Sequence, residues 1–321
     1  MKRFKNILYV AQSSVTQDAA MARAVSLAHN NQARLTVMDV VPGAPAGIAA
    51  PSGKPIGADL TAIMLAERRR LLDSLVAPHR EQATLDIQVL HGKKFLQVIQ
   101  AVLRNDHDLV IKPAENPDWI ERLFGSDDMH LLRKSPCPVW LLRPEEKTNY
   151  RCIVAAIKAD PDDAGGEAQA LNLKILELAS SLALSDFADL HVVHAWDAPG
   201  AGLVRLWAGD AGGAECEIVE GERGRHGLAV TGLLERLRER IGAGAYDYLA
   251  PRVHLPMGDP ERAIPALVRT LGADLVVMGT VARTGIPGLI IGNTAEAVLY
   301  QLQSSVLAIK PPGFVSPVAQ G

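Results

Sequence analysis

A chain of 321 residues that is 48% hydrophobic and 21% charged carries too much apolar material for general disorder, and its length favours two domains over one. Its formal net charge of -3 and isoelectric point near 6.3 give no electrostatic footprint for nucleic acid or an anionic membrane, where Lys and Arg would cluster. Three cysteines, Cys137, Cys152 and Cys216, are odd in number and lack short paired spacing, which argues against a disulfide framework or thiolate metal site and for a reducing cytosol.

The N-terminus carries Lys2, Arg3 and Lys5, but the apolar run Ile7-Leu8-Tyr9-Val10-Ala11 is too short for a signal peptide core. No segment approaches the unbroken apolar length of a membrane span, so a cytoplasmic protein with no membrane contact is expected. The Ile7 run is a buried-strand pattern, and it recurs as Ile153-Val154-Ala155-Ala156-Ile157. Leu35-Thr36-Val37-Met38-Asp39-Val40 recurs as Leu190-His191-Val192-Val193-His194-Ala195. Asp108-Leu109-Val110-Ile111 recurs as Asp274-Leu275-Val276-Val277, and Val139-Trp140-Leu141-Leu142-Arg143-Pro144 as Val306-Leu307-Ala308-Ile309-Lys310-Pro311. Each half is one complete unit.

Helical patterns lie between the strands, at 18–30, 61–79 and 96–104 in the first half and at 167–184, 222–241 and 260–271 in the second. Such alternation calls for parallel pairing through right-handed crossovers, hence two tandem doubly wound α/β domains, each with a five-stranded parallel sheet. The join falls in the polar run after Pro144, giving domains at 1–146 and 147–321, with too short a connection for a flexible tether. The two halves are expected to pair as a pseudo-dimer within one chain, covering the apolar edges at 139–142 and 306–309. The basic run Arg68-Arg69-Arg70 sits in a helical pattern beside Glu67 and Asp73 and reads as a solvated helix face. In the 260–271 helix, Asp259-Pro260 is a good start, while Pro265 predicts a kink. Residues 42–58 and 198–221 break the alternation after each second strand and are candidate lids over the carboxyl ends of the strands, or mobile surface loops without function.

Chemistry is suggested at residues 274–297. The buried-strand run Leu275-Val276-Val277-Met278 ends at Gly279, and Gly292-Asn293-Thr294 precedes the next helix. A strand that opens through glycines onto a helix N-terminus offers backbone N–H groups and a positive dipole end to a phosphate. The spacing fits neither the dinucleotide fingerprint nor a P-loop. It resembles the nucleotide motif of the universal stress protein family, with Gly279 at the first glycine, Ala282 at the second, Gly292 at the third, Asn293 at the hydroxyl position and Thr294 after it. The tandem arrangement, the Lys112 and His130 to Lys134 stretches and this motif resemble two-domain, E-type members over nearly the whole chain. That resemblance implies flavodoxin-like (Rossmann-like) halves with strand order 3-2-1-4-5, a cytoplasmic bacterial stress protein, and an ATP pocket, with Mg²⁺ accompanying ATP. Lys158, Met278, Gly279, Val281, Ala282, Arg283, Gly292, Asn293 and Thr294 are the candidate nucleotide-binding residues, all in the second half.

The first half departs from the motif. No glycine follows Ile111, and Asp127 and Asp128 after Gly125-Ser126 would satisfy the helix dipole themselves and repel phosphate. In the second half, Lys158 stands where ATP-binding members usually carry Asp, so an acceptor is replaced by a donor that attracts phosphate or pairs with Asp160. Arg283 and Thr284 would reach a phosphate or face solvent. His191 and His194 fall on opposite faces of their strand, which argues against a shared metal. No catalytic set is legible, and at most slow ATP hydrolysis is expected. Two readings stand: a nucleotide-binding stress regulator acting through an unidentified protein partner, with a homodimer of tandem chains conceivable, or an interaction protein with vestigial pockets or an unidentified small-molecule ligand.

Overall fold

The structure, a computed structural model, describes residues 4–43, 57–114, 126–143, 146–162, 166–201, 204, 212–280 and 291–319. Two compact units divide the chain, one built on Met1–Thr148 and the other on Asn149–Ala282 with Ile291–Gly313. In the first unit the elements run β1 (Asn6–Val10), α1 (Asp18–Asn31), β2 (Arg34–Val41), α2 (Gly57–Val76), β3 (Leu85–His91), α3 (Lys94–Asn105), β4 (Leu109–Pro113), α4 (Asp127–Lys134) and β5 (Val139–Leu142). The second unit runs β6 (Cys152–Ala156), α5 (Glu167–Asp186), β7 (Asp189–Val193), α6 (Gly212–Ile241), α7 (Ala243–Leu249), β8 (Arg252–His254), α8 (Pro260–Leu271), β9 (Leu275–Gly279), α9 (Asn293–Leu299) and β10 (Ser305–Ile309).

Both units are doubly wound. In the first, β3-β2-β1-β4-β5 are neighbours in that order and all pairs are parallel; in the second the order is β8-β7-β6-β9-β10, again all parallel. Each is therefore the 3-2-1-4-5 sheet. The unbroken apolar runs explain why: β1, β4, β6 and β9 are covered on both faces, with Ile7, Leu8, Val110, Ile153, Val154, Leu275 and Val276 fully buried.

The repeat extends to polar groups that tie the chain down. Asp108, just before β4, accepts hydrogen bonds from Lys5 N (2.6 Å) and Asn6 N (3.1 Å), and Asp274, just before β9, accepts from Arg151 N (2.7 Å) and Cys152 N (3.1 Å). A carboxylate on the fourth strand thus fixes the start of the first in each half. Asn31, ending α1, accepts from Phe4 N, and Asp186, ending α5, accepts from Tyr150 N. The helices before β4 and β9 both end on a left-handed residue, Asp106 (φ 53) and Gly272 (φ 59), whose N–H returns to the last turn.

Several expectations are corrected. The third strands, β3 and β8, were not located by pattern, because β3 is nowhere fully buried and β8 is three residues long. Helix α6 starts at Gly212, ten residues before the apolar periodicity, so much of the expected loop at 198–221 is helical. Ile218 and Val219 pack against Trp196, Ala198 and Ala201, and that burial outweighs the helix cost of Gly213 and Gly221. Gly57 and Ala58 likewise belong to α2, while residues 44–56, 202–203 and 205–211 of the two expected lids lie outside the described residues. Arg68 is not merely solvated: its guanidinium reaches buried Asp39 at 3.4 Å, whereas Arg70 stays on the surface with Glu67. Helix α8 continues through Pro265 to Leu271. The Glu261 carbonyl, which residue 265 would normally serve, instead accepts from Gln301 Nε2 at 2.7 Å. Among the described residues no helix is long and apolar enough to cross a membrane.

Candidate functional site

The carboxyl ends of β6 and β9 hold the second half's candidate residues. Asn172, on the first turns of α5, reaches back to the residue after β6: its Oδ1 accepts from Lys158 N (3.1 Å) and its Nδ2 donates to Lys158 O (2.8 Å). Lys158's backbone is therefore clamped while its side chain is exposed, with no ion pair to Asp160 among the described residues. In the first half Gln17 does the similar task for Gln12, accepting from its N–H at 3.1 Å. Lys158 also lines a cavity of about 200 Å³ with Asp160, Asn172, Leu233 and Arg236, whose guanidinium donates to Gln169.

Met278 is buried within β9, in register between Ala156 and Ala308. Gly279 follows, and a Cβ there would sit 2.9 Å from Leu171 Cδ2. The close approach at this glycine is thus to the end of a leucine side chain on α5, which would have to shift to admit a Cβ. Thr280 N donates to Ile309 O (3.1 Å), and Thr280 O accepts from Gly292 N (2.8 Å), which brings the start of α9 to the end of β9. Gly292 has ordinary extended angles, φ -66 and ψ 145. Asn293 and Thr294 are exposed in the first turn of α9, where N–H groups lack intrahelical acceptors. Thr280 is fully buried, and its Oγ1 finds no hydrogen-bond partner among the described residues. Val281, Ala282, Arg283 and Thr284 lie outside the described residues. The structure thus brings Gly279, Thr280 and Gly292 together and, separately, links Lys158 to Asn172.

Sequence reading missed Thr280 and Lys310. Lys310 follows the carbonyl that Thr280 N reaches, and burial pushes its ammonium down to about 7. Only its place in the repeat, opposite an arginine, could have drawn notice.

The first half closes the same place by charge. Lys112 on β4 is fully buried, and its Nζ lies 2.5 Å from Asp128 Oδ1 in the first turn of α4. Asp128 therefore turns inward to an ammonium rather than standing over the helix end. Asp127 accepts from Phe95 N at 3.3 Å, and Ser126 caps α4 by accepting from Met129 N at 3.2 Å. Gly125 lies outside the described residues. The histidines of β7 have separate partners: His191 Nδ1 meets His254 Nε2 at 2.8 Å, and His194 Nε2 meets His226 Nδ1 at 2.9 Å. Burial, then the neighbouring imidazole, lowers both His191 and His194, the latter to about 4. Among the described residues no group of three His, Cys, Asp or Glu side chains is placed to hold a metal.

Two 3-2-1-4-5 sheets in tandem, each with its candidate site where the fourth strand meets a helix start, define a duplicated flavodoxin-like protein. The profile of the universal stress protein family matches residues 3–143 and 161–310. Universal stress protein E of Escherichia coli K12 is 33% identical over 238 residues, covering 73% of this chain and 71% of that protein. Universal stress protein E of Photorhabdus laumondii is 27% identical over 325 residues, covering 99% of this chain and 98% of its own. A functionally unknown protein from Pseudomonas aeruginosa PAO1 shares the fold at a TM-score of 0.67 and 24% identity, over 97% of this chain and 94% of that one. The chain belongs to the universal stress protein family, in its tandem two-domain form.

Proposed function

We propose that this chain is a cytoplasmic stress-response regulator whose second half holds a phosphate-bearing nucleotide, ATP with Mg²⁺ in attendance, while the first half is its structural partner. The observation that carries this is Thr280: a buried hydroxyl without a partner among the described residues, placed between Gly279 and the open amides of α9. A bound phosphate oxygen would accept from it and from the helix start. At the counterpart in the first half, Lys112 and Asp128 satisfy each other. Recognition is directed at phosphate rather than base, because the residue after β6 is Lys158, a donor that attracts anions and cannot accept from adenine.

Calorimetric titration of the full chain with ATP and GTP tests this. Weak binding of similar strength for both is expected, reduced by Thr280→Val and Gly292→Val and unchanged by Gly125→Val. Lys158→Asp separates the two roles of that position: a gain in ATP preference means a missing acceptor, whereas weaker binding of every nucleotide means that the ammonium holds phosphate. Tight, ATP-selective binding by the wild-type chain would overturn the weak-site reading.

A second reading, an interaction protein whose pockets are vestigial or take another small molecule, is favoured by two observations. Leu171 fills the space beside Gly279, and the cavity at Lys158, about 200 Å³, is smaller than the roughly 300–1,000 Å³ of ligand pockets. Mass spectrometry of what freshly purified protein releases on denaturation distinguishes them: a nucleotide supports the first reading and a different compound the second.

A further inference from the structure

The repeat sets His194 opposite Asp39, one position from the end of the second strand's run in each half. Both are buried, at 3% exposure, and both join the sheet to the helix that follows it. Asp39 does so by charge, meeting Arg68 of α2 at 3.4 Å and Lys94 at 3.7 Å. His194 does so through a neutral imidazole, bonded to His226 of α6. The same junction has exchanged an ion pair for a pair of imidazoles.

The hydrogen positions follow from the contacts. Ala159 N–H points to His194 Nδ1 at 3.3 Å, so Nδ1 carries no hydrogen and Nε2 does. His194 Nε2–H then donates to His226 Nδ1 at 2.9 Å, which places the hydrogen of neutral His226 on Nε2, on the side of Glu222 Oε2 at 4.0 Å. Both nitrogens of His194 are committed, so an added proton enters at His226 Nδ1. There it meets another N–H, and the bond to His194 is lost. Ala159 O, 3.3 Å from the same Nδ1, is the acceptor at hand. His226 Nδ1 thus has two alternative partners, one for each protonation state.

Charged and polar groups approach the pair from three elements. On α6 itself Glu222 faces Nε2, while Arg225 is occupied by Glu222 (2.9 Å) and by Asp162 (2.6 Å). From the loop after β6, Asp160 favours the charged state of the neighbouring His194 and Lys158 opposes it. From the β7 side, Asp197 is engaged with Ala198 N at 2.8 Å, and the Trp196 ring lies 5.7 Å from the His226 ring. A shared metal ion is not what the cluster is built for. Glu222 and His194 approach opposite nitrogens of His226, so the three cannot converge on one centre.

We propose that His194 and His226 form a proton-operated latch, which when neutral seats the first half of α6 on the carboxyl end of the β6–β7 pair and when protonated at His226 releases that bond in favour of Ala159 O. The helix segment it controls carries Ile218 and Val219, packed on Trp196, Ala198 and Ala201. One turn beyond, Leu228, Ala229, Gly232 and Leu233 line the cavity that also includes Ala159. Acidification therefore loosens α6 and changes that cavity, whereas the Asp39 junction of the first half stays shut. The latch goes beyond nucleotide binding and does not depend on it.

The test uses the full chain with nitrogen-15 labelling, followed from about pH 8 to about pH 5 across the imidazole range. At the alkaline end His194 and His226 are expected as Nε2–H tautomers. On acidification His226 gains Nδ1–H, and hydrogen exchange of the α6 amides at 218–226 rises over its intrinsic rate by up to about tenfold per pH unit, the limit for one coupled proton. His226→Gln, whose amide oxygen accepts from His194 without titrating, should abolish that rise. An Nδ1–H tautomer of His226 at the alkaline end, protonation with no change in α6 exchange, or an unchanged rise in His226→Gln would each overturn the proposal. The wild-type tautomer remains decisive should the variant fail to fold.

Discussion

The two halves share strand order, the left-handed residue ending the helix before the fourth strand, and the carboxylate that pins each first strand, yet they part company where the fourth strand ends. The first half places Lys112 there, fully buried, and answers it with Asp128; the second places Met278 and Gly279, and no described residue answers the hydroxyl of Thr280. The lesson concerns how a duplicated scaffold divides labour. An ion pair inside a protein is a commitment, because neither charge tolerates loss of the other, whereas a glycine, a hydroxyl and a short helix start leave the position available to something from outside.

The largest effect should come from breaking that commitment. Lys112→Met alone strands Asp128 as a buried carboxylate and is expected to destabilise the first half by about 3–5 kcal/mol. Adding Asp128→Ala, which installs the apolar residues that the second half has at the matching positions 278 and 295, should recover most of the loss. Urea unfolding followed by Trp140 fluorescence measures both, and a double variant as unstable as the single one would show that the pair is not what distinguishes the halves.

Acid should act on both halves, since burial also lowers His107 and His130 in the first, and most strongly at His194 of the second. His194 is lowered from the ordinary imidazole value to about 4, first by burial and then by His226, and burial lowers His191 and His254 in the same direction. A group with a depressed folded pKa binds fewer protons folded than unfolded, so its stabilisation is present above about 6.5 and is lost as pH falls toward about 4. His194 accounts for on the order of 3 kcal/mol over that window. Stability measured at a series of pH values should show this slope, and His194→Asn should flatten it.

A smaller effect tests what Gly279 is for. Gly279→Ala places a Cβ 2.9 Å from Leu171 Cδ2, the end of a side chain that can turn aside, and should cost about 1 kcal/mol, relieved by Leu171→Ala. Calorimetric melting reads it, and no shift would return the glycine to a purely ligand-facing role. The smallest is the helix start: Ser126→Ala removes the cap to Met129 N and should lower stability by about 1 kcal/mol, against little change for Gly292→Ala, where no side chain caps α9.

Much of the fold was legible because burial on both faces writes itself as apolar runs, and the runs repeat. The recurrent aspartates at 108 and 274 were legible as pattern only; that each accepts two amides from the first strand requires knowing which strand lies alongside. Strand β8 and the first turns of α6 left no periodic signal, one being too short and the other interrupted by glycines. At the site, glycine spacing pointed to Gly279 and Gly292 but could not say that Leu171 would occupy the space beside the first. Asp128 looked like a repellent at a helix end, because nothing in local sequence tells that Lys112, sixteen residues earlier, is buried against it. His226 was silent for the same reason, its partner being thirty-two residues away.

Pro265 has a bearing on how the second half is assembled. A proline within a helix is usually reckoned by the hydrogen bond it deletes, but the carbonyl so released faces outward with a known address. Gln301, just beyond α9, holds Glu261 O at 2.7 Å and its own helix's Ala297 O at 3.0 Å with one amide nitrogen. The gap in one helix has become a keyhole for the neighbour, setting the register in which the two lie together. The informative substitution is therefore at the key: Gln301→Leu should leave α8 intact in itself and let its neighbour drift.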